Sequence, residues 1–126
     1  MSARREQGAA VVDFALVGTL VTVLFVAVVQ LAVVQHVRNT LVDCAQDGAR
    51  YGALADRDPA AGADRTRALI TADLSARYAT DVQAGRERFD GADTVVVRVR
   101  APLPLLGLFG VGRVLTVRGH ALAEAP

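Results

Sequence analysis

The pattern of apolar and polar positions changes period twice along the chain. From Gly8 to Val34 the residues are apolar except for Asp13, Thr19, Thr22 and Gln30. A helix of about 26 such residues, at about 1.5 Å each, is about 39 Å long, enough to cross a hydrocarbon core of about 30 Å. This run predicts a membrane-spanning helix over 9–35. Beyond it Val37, Leu41, Cys44 or Ala45, Gly48 and Tyr51 recur at three- and four-residue intervals, so the helix is expected to continue over 36–55 and to stop before Pro59.

The remaining chain reads as a small domain over 56–126. Asp58 to Ala63 is expected as a loop and Asp64 as the N-cap of an amphipathic helix over about 65–80, with Leu69, Ile70, Leu74 and Tyr78 on its apolar face. Gln83 to Arg88 and Asp90 to Asp93 read as a polar loop, with Phe89 pinning it to the core. Strict alternation then appears. Val95, Val97 and Val99 oppose Arg98 and Arg100 in a strand over about 94–101, and Leu115, Val117, Gly119 and Ala121 oppose Thr116, Arg118 and His120 in a strand over about 114–123. Two strands are marginal in water, so a third near Phe89 or packing on the helices has to complete the layer. The fold class is α+β: a long N-terminal membrane-spanning helix extending into a domain of one further helix and a short antiparallel sheet, a pilin-like lollipop.

The acid within the apolar run carries the functional question. A carboxylate at the centre of a membrane helix costs about 2.5–3.5 kcal/mol, so Asp13 lies near the headgroups, has a partner, or has a function. One reading leaves it hydrated near the cytoplasmic surface. The other joins it to Gly8 as a processing signal: cleavage between Gly8 and Ala9 frees an amine on Ala9, and Asp13, the fifth mature residue, neutralises that amine on a neighbouring subunit. Arg4 and Arg5 precede the span, whereas the far side carries His36 and Arg38 but also Asp43 and Asp47. The N-terminus is therefore expected in the cytoplasm and the domain outside. The run is longer than the apolar region of a secretory signal peptide.

Composition removes several classes. Net charge is +1 over 126 residues, which gives no electrostatic footprint for direct binding of nucleic acid. All 14 basic side chains other than the 2 histidines are arginine, which leaves no lysine for isopeptide chemistry. Cys44 stands alone, as a small buried helix residue or as one half of an intermolecular bridge. His36 and His120 lack metal-ligand spacing, the glycines from Gly107 to Gly112 lack the lysine and following helix of a phosphate loop, and Cys44 has no base nearby. No metal, no cofactor and no enzymatic activity are expected.

Small residues and one apolar connection suggest contact surfaces. Gly48 and Gly52 lie one turn apart and admit another backbone, from the chain's own domain or from a neighbouring helix, with Phe14, Arg50 and Tyr51 in the same packing role. Arg50 is expected to pair with Asp47 or Asp43 or to cap helix carbonyls. The connection from Pro102 to Gly112 is unusually apolar, and Leu105, Leu106, Leu108 and Phe109 are candidates for tucking under the domain or for contact with a partner or membrane lipid.

The segment Arg4-Arg5-Glu6-Gln7-Gly8, followed by Ala9-Ala10-Val11-Val12-Asp13-Phe14 and the apolar run, resembles the type IV prepilin signal in its Flp/Tad form. The chain is similar in particular to the TadE-like minor pseudopilins of the tight-adherence pilus. Asp13 stands where that family usually has glutamate, and Ala45-Gln46-Asp47-Gly48-Ala49-Arg50 resembles its Ala-x-x-Gly-Ala-Arg segment. The resemblance implies a leader over 1–8, removal by a prepilin peptidase, and a structural role in Tad/Flp-type pilus assembly. It also implies partners among other pilins or pseudopilins and the assembly platform, a place in the cell membrane or a pilus, and a link to adhesion or secretion. The alternative is an uncleaved signal anchor that presents a small extracytoplasmic binding domain.

Overall fold

The computed structural model describes residues 2–103 and 113–124. Its elements are helix α1 (Ser2–Gly52), helix α2 (Pro59–Asp73), a 3-10 turn (Ala76–Ala79) and strands β1 (Asp81–Phe89), β2 (Ala92–Pro102) and β3 (Val114–Leu122). The chain divides into two compact units, Met1–Val33 and Val34–Pro126, each described by itself.

The first unit is helix alone. It starts at Ser2, so Arg4 to Gly8 are already helical. Ala3, Arg4, Arg5, Glu6 and Gln7 are all good helix formers, and their propensity outweighs the single glycine that follows. Its apolar side chains stand open, among them Phe14 at 81% exposed and Leu20 at 68%. Helix α1 is long and apolar enough to cross a membrane and fits a single-pass membrane protein. Thr19 and Thr22 donate their hydroxyls to the carbonyls of Ala15 and Gly18, at 2.7 and 2.8 Å, so neither needs an outside partner in lipid.

The second unit packs α2 and the C-terminal half of α1 against one face of a three-stranded antiparallel sheet, order β1-β2-β3. Leu41, Ile70, Val97 and Val99 are fully buried at its centre, with Val37, Ala45, Val82 and Val117 around them. The expected alternation of β2 and β3 holds: Val95, Val97 and Val99 face the helices, as do Leu115, Val117 and Gly119.

Several expected boundaries move, each for a local reason. Helix α1 ends at Gly52, short of 55, and the Ala53 N–H closes on the carbonyls of Ala49 and Arg50. Asp58, not Asp64, is the N-cap of α2: its carboxylate accepts from the Ala61 N–H at 2.8 Å, and Pro59 takes the first helical position, where its missing N–H costs nothing. Asp64 instead pairs with Arg67 at 2.8 Å. The helix stops at Asp73 because Ser75 caps a separate 3-10 turn.

The largest correction concerns Gln83 to Arg88. They form β1, paired with β2 from Asp81↔Arg100 to Phe89↔Ala92. Asp90 and Gly91, at φ 51° and 80°, make the two-residue turn whose twist suits such a hairpin. Phe89 does not enter the core; it is 54% exposed and stacks on His120 at 6.4 Å between ring centres. Strand β2 is longer than expected and β3 one residue shorter.

Candidate assembly surfaces

In the first unit the residues singled out for processing lie on an open helix surface. Nothing approaches a Cβ built on Gly8, and Ala9 and Asp13 are exposed. Phe14, Ala15, Gly18, Thr19, Thr22 and Val23 line a shallow groove on the same surface, a bulky aromatic beside a row of small side chains. In lipid, where apolar burial gives no gain, such a surface suits close approach of another helix by van der Waals packing.

In the second unit Gly48 and Gly52 serve packing within the domain. A Cβ on Gly48 would overlap the Thr66 hydroxyl and come within 2.7 Å of the Gly62 carbonyl; one on Gly52 would lie 3.1 Å from the Asp58 carbonyl and from Gly62 Cα. The three glycines let α1 and α2 cross at backbone contact. Thr66, fully buried, fills the crossing and donates to the Gly62 carbonyl at 2.8 Å. Tyr51 lies beneath the guanidinium groups of Arg57 and Arg65, at 5.0 and 5.6 Å. The expected Arg50 pairing does not occur: Asp47 faces Arg65 at 3.5 Å, and Arg50 is exposed with no ion pair among the described residues. Arg65 sits one helical crossing away from Asp47, a tertiary neighbour that helix spacing alone does not reveal.

Cys44 is a buried thiol at the α1–α2 contact, its Sγ 3.8 Å from an Asp73 carboxylate oxygen. Burial, then the negative charge and hydrogen bond of Asp73, push it up to about 11 from the ordinary 9.0. A thiol kept protonated is a poor nucleophile and a poor partner for bridge formation.

Contacts that the sequence reading missed hold β3 against α1. Gly119 lies on the α1 backbone, where a Cβ would overlap Ala45 and the nitrogen of Gln46. The Gln46 carboxamide then pairs with the main chain of His120 in both senses: its Nε2 donates to the carbonyl at 2.7 Å, and its Oε1 accepts from the N–H at 3.2 Å. Past the strand, the Glu124 N–H donates to the Ala53 carbonyl at 2.8 Å. On the other edge Arg67 donates to the Val82 carbonyl at 2.8 Å. A glycine within an alternating strand was the available signal for Gly119; nothing local marks Gln46.

One end of the sheet carries an apolar groove of about 590 Å³ lined by Phe89, Ala92, Thr94, His120 and Leu122, with Leu122 69% exposed. Leu105, Leu106, Leu108 and Phe109, the candidates for lipid or partner contact, lie outside the described residues.

Compared with known proteins, residues 8–50 match the family model described as TadE-like protein. No curated protein and no solved structure matches the chain. The matched stretch starts at Gly8, takes in the whole apolar run, and ends at Arg50 among the residues that pack α1 on α2. From Gly8 to Arg50, about a third of its length, this chain is similar to TadE-like proteins.

Proposed function

We propose that the chain is a minor pilin-type subunit of a Tad/Flp-type pilus, cut between Gly8 and Ala9 and packed against other subunits through α1, with a structural and not a catalytic role. The observation that carries this reading is that the TadE-like match begins at Gly8 and falls on a helix whose apolar side chains are open to other molecules. In the assembly the new ammonium on Ala9 needs a counter-charge in a medium of low dielectric, and Asp13 of a neighbour supplies it. The prepilin peptidase, other pilins and the assembly platform are the partners this requires, with the N-terminus cytoplasmic and residues 34–126 outside.

N-terminal sequencing of the protein from its native membrane tests the reading. A mature chain starting at Ala9 is expected, and Gly8→Leu should leave the leader in place. Asp13→Ala should insert in the membrane normally but fail to enter pili. Native material that retains Arg4 and Arg5 refutes the pilin reading in favour of an uncleaved anchor.

A further inference from the structure

The outer face of the sheet, turned away from α1 and α2, gathers its arginines at one end. Arg98 stands directly opposite Arg118, and Arg100 lies one step along, between Asp81 and Thr116. Arg113 flanks the start of β3 and is exposed. Like charges opposed across strands oppose folding, yet none of these four has an ion pair among the described residues, and the Nε of Arg98 is buried with no hydrogen-bond partner. Gln83, Val96 and Arg98 line a pocket on this face.

The place of this cluster along α1 follows from contacts within the second unit. Gly119 meets Ala45, His120 meets Gln46 and Glu124 meets Ala53, so β3 runs alongside α1 in the same direction. Counting back at about 1.5 Å per helix residue and about 3.3 Å per strand residue puts Val114 level with about Val34. That is where the apolar run ends and the chain enters this unit. Measured along β3, Arg100 lies about 7 Å and Arg98 and Arg118 about 13 Å from Val114, so the cluster occupies the end of this unit at which the chain arrives from the apolar run.

We propose that this end of the sheet binds the anionic headgroups of the bilayer that α1 crosses, with Arg98, Arg100, Arg113 and Arg118 supplying the contacts. The inference rests on the single-span reading of α1 and not on processing at Gly8. Guanidinium groups match phosphate in geometry, and a lipid phosphate meeting Arg98 and Arg118 together removes the repulsion between them. Asp81, the acid on this face nearest the cluster, offsets one charge of the four.

The test uses the full chain in lipid nanodiscs, with a fluorophore on Thr116→Cys and a quencher on the lipid headgroup. Quenching is expected to be about twofold stronger with ~30% phosphatidylglycerol than with phosphatidylcholine alone, to fall back in about 0.5 M salt, and to lose its lipid dependence in Arg98→Gln/Arg100→Gln/Arg118→Gln. Tyrosine fluorescence, which reports only residues 34–126, checks that the variant is folded. Equal quenching in the two lipids, or unchanged lipid dependence in the folded variant, overturns the proposal. Cross-linking between copies through Thr116→Cys with no lipid dependence also overturns it and gives the face to a second subunit.

Discussion

Replacing Gly119 by alanine tests the central packing claim, that β3 lies at backbone contact on α1. The added Cβ would sit inside 3.0 Å of the Ala45 carbonyl group and the Gln46 nitrogen, all main-chain atoms of a helix that cannot rotate away. Relief requires β3 to withdraw by about 1 Å, which forfeits a quarter to a half of the contact energy along the seam. Overpacking of this kind costs about 1–3 kcal/mol. The same withdrawal stretches both Gln46–His120 hydrogen bonds, worth about 1 kcal/mol each. Against this, alanine in a strand recovers about 0.5–1 kcal/mol of chain entropy. The net loss is about 2–4 kcal/mol, which for a unit of this size lowers the unfolding midpoint by about 10–25 °C. Both tyrosines, Tyr51 and Tyr78, lie in the second unit and there is no tryptophan, so tyrosine fluorescence of the full chain in micelles follows this unit alone. Gly85→Ala is the control, because nothing lies within 4 Å of a Cβ there, and its midpoint should stay or rise slightly. A Gly119→Ala midpoint within about 3 °C of the parent would refute the close approach.

Asp58→Ala removes the acceptor of the Ala61 N–H and should cost about 1 kcal/mol, a midpoint loss of about 4–8 °C that Asp58→Asn largely restores; equal loss in both would refute the capping role. For Cys44, the folded chain keeps a proton that the unfolded chain releases above the ordinary value, so its contribution to stability is full below about pH 9 and is lost as pH rises toward about 11. Alkylation of the folded protein should therefore rise with a midpoint near 11, and a midpoint near 9 in the folded state would sink the argument.

The sequence made legible whatever rests on strong periodicity. The apolar run, the stripe from Val37 to Tyr51, the face of Ile70 and the alternation of Val95 to Val99 and of Leu115 to Ala121 are each a direct imprint of burial. A third strand near Phe89 was one of two ways to complete the sheet, but the span of β1 left no periodic sign because Gln83, Arg86, Glu87 and Arg88 face solvent on an edge, where burial leaves no pattern and polar side chains are tolerated. Asp90-Gly91 was its one local sign. Asp58 and Asp64 are equally good cap residues, and Pro59, which suits the first helical position, is what chooses between them. Gln46 and Arg65 depend on which elements meet in space, so no spacing along the chain could have assigned their partners.

The clasp between Gln46 and the main chain of His120 has a bearing on how copies can gather. One carboxamide does there what a partner strand would do, occupying both main-chain groups of His120 near the C-terminal end of β3. A neighbour cannot pair its own strand with this part of β3 without first displacing the Gln46 side chain. Even when copies are crowded together, that part of the β3 edge is therefore closed to ladder-type fusion.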